Sequence, residues 1–184
     1  FVGKIVYATG EYQRWDKINR QYVSGSNAIE INEALPIVDM VSSSMDKRVF
    51  GVLSDREDHL RKDPDSGDYE NDWQMTSGSE GATPINAAFN FQNLKFGKVR
   101  VNSIGEGAIW ICNTSGSLEN GDYITTCKVP GYGSKQNDNI LHNYTVAKIT
   151  TDCDFTTGNY KTGSTTHNGV TYKTAFVGCT YHCG

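Results

Sequence analysis

The chain has 184 residues, a formal net charge of −4 and 19 glycines. This acidic balance offers no basic surface for a nucleic acid or an anionic membrane, so we expect neither as a partner. No apolar run approaches the roughly 18 residues of a membrane-spanning helix, and no signal-peptide pattern is present, which predicts a soluble protein. The glycine content, together with many Thr, Asn and Tyr residues, favours a turn-rich β protein over a helical bundle.

Short runs of alternating or β-branched apolar residues recur along the chain and predict strands. In chain order these runs are residues 3–9, 28–31, 36–41, 49–53, 99–104, 108–112, 123–127, 144–150 and 172–178. Helical periodicity is missing from the long windows, and only residues 55–62 have a composition that suits about two helical turns. The sequence therefore predicts an all-β fold with little helix.

Two polar segments interrupt the predicted strands. Residues 55–95 are too long and too polar for a hairpin turn, which predicts a surface insertion. Residues 156–168 are rich in Thr, Gly and Asn, and we interpret them as the polar tip of a carboxyl-terminal hairpin over residues 151–184. Neither segment has the composition of a linker. We therefore predict a single β domain over residues 1–184, with its core at residues 3–54 and 96–150.

The chain has five cysteines, an odd number that rules out complete pairing within one chain. At least one thiol is therefore free or pairs with another chain. Their sparse and irregular spacing favours mostly reduced thiols over a disulfide-stapled scaffold. The five are Cys112, Cys127, Cys153, Cys179 and Cys183.

Near the carboxyl end, Cys179, His182 and Cys183 form a Cys-x-x-His-Cys pattern. Thiolates and imidazoles are ligands that zinc accepts in a tetrahedral shell. The pattern lacks a second paired motif to complete such a shell, so we predict neither a metal nor another cofactor. These three residues are the candidates if a metal site exists, with disulfides between chains and ordinary packing as the alternatives.

Residues 116–135 read GSLENGDYITTCKVPGYGSK and place two glycine-rich turns around one short apolar run. Asn and Gly tolerate a positive φ angle, Tyr123 begins a run that favours a strand, and a Pro-Gly pair ends it. The stretch contains no evident nucleophile with a base, no phosphate loop and no set of metal ligands. Its function must therefore be sought in how such units assemble.

The order of these segments resembles the β-rich module near the carboxyl ends of phage tailspikes and large-virus fibre proteins. The segments are GKIVYATGEY, VFGVLSD, the run from GKVRV to GYGSKQ, and YTVAKIT, and the match covers most of residues 3–150. The carboxyl end, AFVGCTYHCG, also resembles the endings of marine viral versions. The most specific part is residues 116–135, where the family motif falls on Gly121, Asp122, Tyr123, Pro130, Gly131, Tyr132 and Lys135.

The resemblance implies a small barrel or β-clip-like core, a structural role for the motif residues, and a homotrimer at the tip of a virion fibre. In that setting the domain would trimerise and assist or cap the folding of the upstream shaft. Closed trimers also remove the exposed strand edges that make small β units prone to aggregation. The implied location is the exposed surface of a virion, in a tail or capsid fibre that attaches to a host.

Proteins near this family include the intramolecular chaperone domain of podophage neck appendages, a glutamic-type peptidase that cleaves itself. Its acidic Asp-Tyr-Ala-Glu motif precedes the strand that opens on glycine. Only Phe1 and Val2 precede that strand here, so the resemblance places the motif upstream in a longer parent, with this chain as the released product. Gly67-Asp68-Tyr69-Glu70 is a partial match at the wrong position, and we assign it no catalysis.

Other residues leave two alternatives open, a peptidase site and a receptor-binding head. Carboxylates in a peptidase site need a close partner, which sequence distance does not show for Glu11, Glu30, Glu33, Asp39, Asp55, Glu57 and Asp58. Aromatic residues could bind a cell-surface glycan or protein, although we favour a trimer interface, for Tyr12, Trp15, Tyr22, Trp73, Tyr132 and Tyr144. Asn113 and Asn143 begin glycosylation sequons.

Overall fold

The computed structural model describes residues 2–56 except 17 and 33, and residues 99–183 except 157. Two short 3-10 turns, Gly25–Ala28 and Asn113–Ser115, are the helical elements of this part of the chain. No helix in the described ranges has the length and apolar character needed to cross a bilayer. The strands are β1 (Ile5–Asp16), β2 (Gln21–Ser24), β3 (Pro36–Met40), β4 (Val49–Arg56), β5 (Val99–Asn102), β6 (Ile104–Cys112), β7 (Tyr123–Thr126), β8 (Gly133–Lys135), β9 (Thr145–Ile149), β10 (Lys161–His167) and β11 (Val170–His182).

The first sheet is built around β1, which pairs antiparallel with three other strands. Its first half pairs with β3 and β4, and its last four residues pair with β2. β5 completes the sheet by pairing with β4. The end of β1 and the whole of β2 form a two-stranded arm, and an ion pair of 2.7 Å between Arg14 and Glu30 joins this arm to the loop that follows it.

The second sheet closes into a barrel of five strands, in the order β6, β8, β7, β9, β11 and back to β6. All of these pairings are antiparallel except that of β6 with β8, which meet in parallel at Ile111 and Gly133. Closure leaves no free edge within the ring of strands, which protects a small sheet from pairing with other chains.

β10 adds to the outer part of β11 and forms a hairpin that extends the barrel wall. His167 pairs with Val170 across a two-residue turn of Asn168 and Gly169. Both turn residues have positive φ angles, 50° and 78°, which is the signature of the Asn-Gly hairpin turn that matches the twist of paired strands. Most of β10 is exposed, whereas β11 alternates between buried and less buried residues from Ala175 onward.

The two sheets bury a shared apolar core. Ile5 and Val52 of the first sheet pack in one cluster with Ile109, Ile124 and Val177 of the barrel, and all five are fully buried. The core therefore includes residues from the segment 151–184 as well as from the earlier strands.

The predicted all-β fold with a small barrel and little helix is confirmed. The strand predicted at residues 28–31 is wrong, because Ala28 belongs to a 3-10 turn and the two isoleucines after it are exposed. Residues 161–167 form β10 rather than a hairpin tip, and the tip lies at Asn168 and Gly169. The predicted insertion and the possible helical turns after Arg56 lie outside the described residues.

Candidate functional site

The hairpin that carries the family motif consists of β7 and β8 and forms part of the barrel wall. β8 pairs with β7 on one side and meets β6 through Gly133 on the other. β7 in turn pairs with β9. We call the turn at residues 121–122 the first turn and the turn at residues 130–132 the second turn.

An ion pair connects the first turn to the far strand of the hairpin. The carboxylate of Asp122 lies 2.6 Å from Nζ of Lys135, and the same oxygen accepts a hydrogen bond of 2.7 Å from the Glu119 N–H. The Asp122 N–H donates in return to the Glu119 carbonyl at 3.0 Å. The Asp and the Lys of the motif therefore contact each other and fix the turn relative to β8.

Two backbone hydrogen bonds join the second turn to Ile5 and Val41, and a third bond between those two residues closes a ring. The Ile5 N–H donates to the Gly131 carbonyl at 3.0 Å, the Gly131 N–H donates to the Val41 carbonyl at 2.8 Å, and the Val41 N–H donates to the Ile5 carbonyl at 3.2 Å. The bonds form a closed ring among three buried residues. Gly131 has a φ angle of 74°, and an added Cβ would lie 2.8 Å from Sδ of Met40. This position therefore requires glycine both for its backbone angle and for its lack of a side chain.

We expect Gly131→Ala to lower the free energy of unfolding by about 2–3 kcal/mol, because it adds backbone strain and crowds Met40. Urea denaturation measures this loss. Gly169→Ala is the matched control, since Gly169 has a similar φ of 78° with nothing within 4 Å of an added Cβ. Gly169→Ala should lower the free energy of unfolding only through backbone strain, by about 1 kcal/mol. Equal losses in the two variants would show that the contact with Met40 is unimportant.

Tyr132, the last residue of the second turn, covers a half-buried lysine. Nζ of Lys4 lies 3.0 Å from the ring centroid of Tyr132 and 5.6 Å from that of Trp110. Burial lowers the pKa of Lys4 to about 7, while the nearby thiols of Cys112 and Cys127 oppose this shift. The aromatic faces compensate part of the cost of removing the ammonium from water.

The Lys4 shift predicts a pH dependence of stability. Between its folded pKa of about 7 and its ordinary value of 10.5, the unfolded chain binds a proton that the folded chain does not. The contribution of Lys4 to the free energy of unfolding should therefore rise as pH increases above 7, by at most about 1.4 kcal/mol per pH unit. In urea denaturation across this range, the change of this free energy per pH unit should be less positive in Lys4→Met than in the wild-type chain. Lys128→Met, which removes an exposed lysine from the same hairpin, is the control and should keep the wild-type slope.

The candidate metal ligands at the carboxyl end do not come together. Successive side chains of a strand point to opposite faces. Cys179 and Cys183 are buried on one face, and burial raises the pKa of both thiols to about 12. His182 lies on the other face, where its Nε2 is 3.2 Å from Oγ1 of Thr180 and its ring meets Tyr123 edge to face. The described part of the chain contains no group of three His, Cys, Asp or Glu residues that could bind a metal.

All five cysteines are buried, so this fold presents none of them at its surface for a bridge to another chain. The thiols of Cys112 and Cys127 are close neighbours, with 3.3 Å between the sulfur atoms. No sequence pattern indicates this pair or Lys4 beside it. The three residues lie on separate strands or strand ends, in runs whose composition is that of ordinary apolar strands.

Two of the acidic residues considered for a peptidase site have other partners, and a third, Glu11, is exposed on β1. Glu30 pairs with Arg14 at 2.7 Å, and the Asp39 carboxylate accepts a hydrogen bond of 2.7 Å from the Met40 N–H. Neither contact is with a second carboxylate. Glu33, Glu57 and Asp58 lie outside the described residues, as do Gly67-Asp68-Tyr69-Glu70, and the side chain of Asp55 is not among those described.

The aromatic residues considered for a glycan platform are divided among different contacts. Trp15 and Tyr22 are paired positions on β1 and β2, and Tyr144 stacks on His142 with 4.6 Å between the ring centroids. Tyr132 packs over Lys4, and Trp73 lies outside the described residues. Tyr12 pairs with Pro36 of β3. Among the aromatic side chains that the structure describes, Tyr132 and Tyr144 therefore have separate contacts.

The two sequons differ in their accessibility. The side-chain oxygen of Asn113 accepts a hydrogen bond of 2.9 Å from the Lys173 N–H, whereas Asn143 is exposed. A glycan on Asn113 would compete with this contact between the 3-10 turn after β6 and the strand β11.

An open groove of about 350 Å³ lies beside the first turn. Its lining is mostly polar, and Nζ of Lys148 lies 5.9 Å from the ring centroid of Tyr123 within it. Amide, carboxylate and ammonium groups around an aromatic ring are suited to a polar ligand such as a sugar. The lining residues are Asn120, Gly121, Asp122, Tyr123, Asn139 and Lys148.

Comparison of the chain with models of protein families, with curated proteins and with solved structures gives no match.

Proposed function

We propose that this chain is an assembly domain of a viral fibre or tailspike. In this proposal it associates with two copies of itself and assists or caps the folding of an upstream shaft on the virion surface. The order of motifs over residues 3–150 supports the proposal. Within the motif, Asp122 pairs with Lys135 and Gly131 joins two sheets, which are structural roles rather than catalytic ones.

One observation carries the proposal, the exposure of large apolar side chains along residues 18–35. Ile18 is 91% exposed and Ile31 is 99% exposed, and Ile29 and Leu35 are also exposed. Burying one such side chain contributes about 2 kcal/mol, so a contact that covers several of them is favourable. Exposed apolar residues concentrated on one segment are typical of a surface that binds another protein. In this proposal the partner is a second copy of the chain.

The mass of the isolated chain in solution tests this proposal. Light scattering after size exclusion should give three times the 20.3 kDa of one chain. A variant with Ile29, Ile31 and Leu35 all changed to Ser should shift toward the mass of one chain, because it removes apolar contacts without touching the core. The control changes Ile140 and Leu141 to Ser, since these residues are similarly exposed, at 62% and 57%, on a different loop.

The outcomes of this experiment are distinct. A wild-type mass of one chain at every concentration would contradict the trimer. A trimer that survives the triple substitution would show that the interface lies outside residues 18–35. Dissociation by the triple substitution alone would support both the assembly role and the assigned surface.

Glycan binding is the second candidate function, and the groove beside the first turn favours it. A glycan array probed with the wild-type chain should then give a signal, and Asn139→Ala should weaken it because an exposed amide of the groove is lost. Asn143→Ala is the control, since this asparagine is exposed but does not line the groove. An array without signal would contradict this candidate and leave the assembly role unaffected.

A further inference from the structure

The thiols of Cys112 and Cys127 form a close pair outside the main core. Their sulfur atoms are 3.3 Å apart, and the two residues are 0% and 2% exposed. Cys112 ends β6, and Cys127 follows β7, so the barrel brings together residues 15 positions apart in the chain. Closing this gap to a covalent disulfide of about 2.05 Å requires the sulfur atoms to approach by only about 1.2 Å.

The surroundings of the pair shift the pKa values of its two thiols in opposite directions. A hydrogen bond from Cys127 stabilises the thiolate of Cys112 and lowers its pKa, and contacts with Thr114 and the charge of Lys4 act in the same direction against burial. The same hydrogen bond, together with burial, raises the pKa of Cys127. The carbonyl of Tyr132 lies 3.3 Å from the Cys127 sulfur and provides a second acceptor for its proton. One sulfur is thus favoured as a nucleophile and the other as a protonated partner.

We propose that Cys112 and Cys127 are a redox pair that forms an intramolecular disulfide on reaction with a peroxide. A small oxidant suits this site because both thiols are buried, so that access to them requires only a local opening of the fold. Lys4 is a positioning residue in this proposal, since its ammonium acts on the reaction through the Cys112 thiolate.

The oxidation proceeds in two steps. The Cys112 thiolate attacks one oxygen of hydrogen peroxide, the O–O bond breaks, and hydroxide leaves and takes up the proton that the thiol released. The sulfur of Cys127 then attacks the sulfenic acid of Cys112, the S–O bond breaks, and water leaves with the Cys127 proton. Overall, two thiols lose two electrons and two protons, and one peroxide is reduced to two waters.

The disulfide would change the region where the barrel meets the first sheet. The second turn lies between Cys127 and β8, and it contacts Ile5 and Val41 through the ring of hydrogen bonds. A covalent link from β6 to the start of the connection between β7 and β8 would restrict the opening of this turn. The oxidised protein should therefore have a higher Tm than the reduced protein.

Treatment of the full folded chain with hydrogen peroxide, followed by trapping of free thiols, tests the proposal. Intact mass should fall by two hydrogen atoms, and peptide mapping should join the peptide of Cys112 to that of Cys127. The Tm of this product should rise and should return to its original value with a dithiol reductant. Lys4→Met should form the same link about two- to threefold more slowly at a pH below 7, because it removes a charge that favours the thiolate. A structural role for Lys4 alone would leave the rate unchanged.

Cys153→Ser is the control because Cys153 is buried elsewhere, and it should still form the link. Cys112→Ala and Cys127→Ala should each abolish the link, and the mapping of the wild-type chain remains decisive if either variant folds poorly. A folded wild-type chain that keeps both thiols, or links a different pair, under peroxide would overturn the proposal. Failure of the chain to trimerise would not affect this result, so the two proposals are tested separately.

Discussion

The ring of three backbone hydrogen bonds among Ile5, Val41 and Gly131 is the contact on which the rest of the structure depends. It lies where the first sheet meets the barrel and satisfies buried N–H and carbonyl groups of all three residues. A buried backbone group without a partner costs about 1–3 kcal/mol, so loss of this turn would weaken both sheets at once. The short Pro-Gly-Tyr turn therefore allows the two sheets to share one core.

The same junction explains the position of Lys4. Ile5 enters the core as the first residue of β1, and the half-buried Lys4 directly precedes it, on the side where Tyr132 and Trp110 lie. Burial of an ammonium is unfavourable, and two ring faces and two thiols offset part of this cost. The second turn therefore both joins the two sheets and covers this lysine.

The sequence predicts the elements whose side chains alternate and leaves out those that are stabilised by pairing alone. β6 and β11 are visible in the sequence because their buried positions are apolar. β10 is polar along its whole length and is a strand because it pairs with β11 through seven positions, which composition does not reveal. The apolar residues at 28–31 indicate a strand, but Ile29 and Ile31 are exposed, which is compatible with a surface that binds another chain.

The candidate site was predictable only where neighbours in space are also neighbours in a motif. Asp122 and Lys135 belong to one hairpin, and their ion pair joins its first turn to β8. Lys4 and the two thiols meet through the closure of the barrel against the first sheet, so their proximity depends on the whole topology. The two-residue period of a strand places Cys179 and Cys183 on one face and His182 on the other. This period applies to them because β11 continues to His182 rather than ending near residue 178.

Large apolar side chains are exposed along residues 18–35, whereas all five thiols are buried. The exposed segment lies beside the first sheet, and the Cys112–Cys127 pair lies in the barrel. Oxidation of this pair would therefore act on the exposed segment through the contacts between the two sheets. These contacts are the shared apolar core, the ring at Gly131 and the hydrogen bond from the Trp110 N–H to the Gly3 carbonyl. A link between redox state and assembly would depend on how rigidly these contacts join the two sheets.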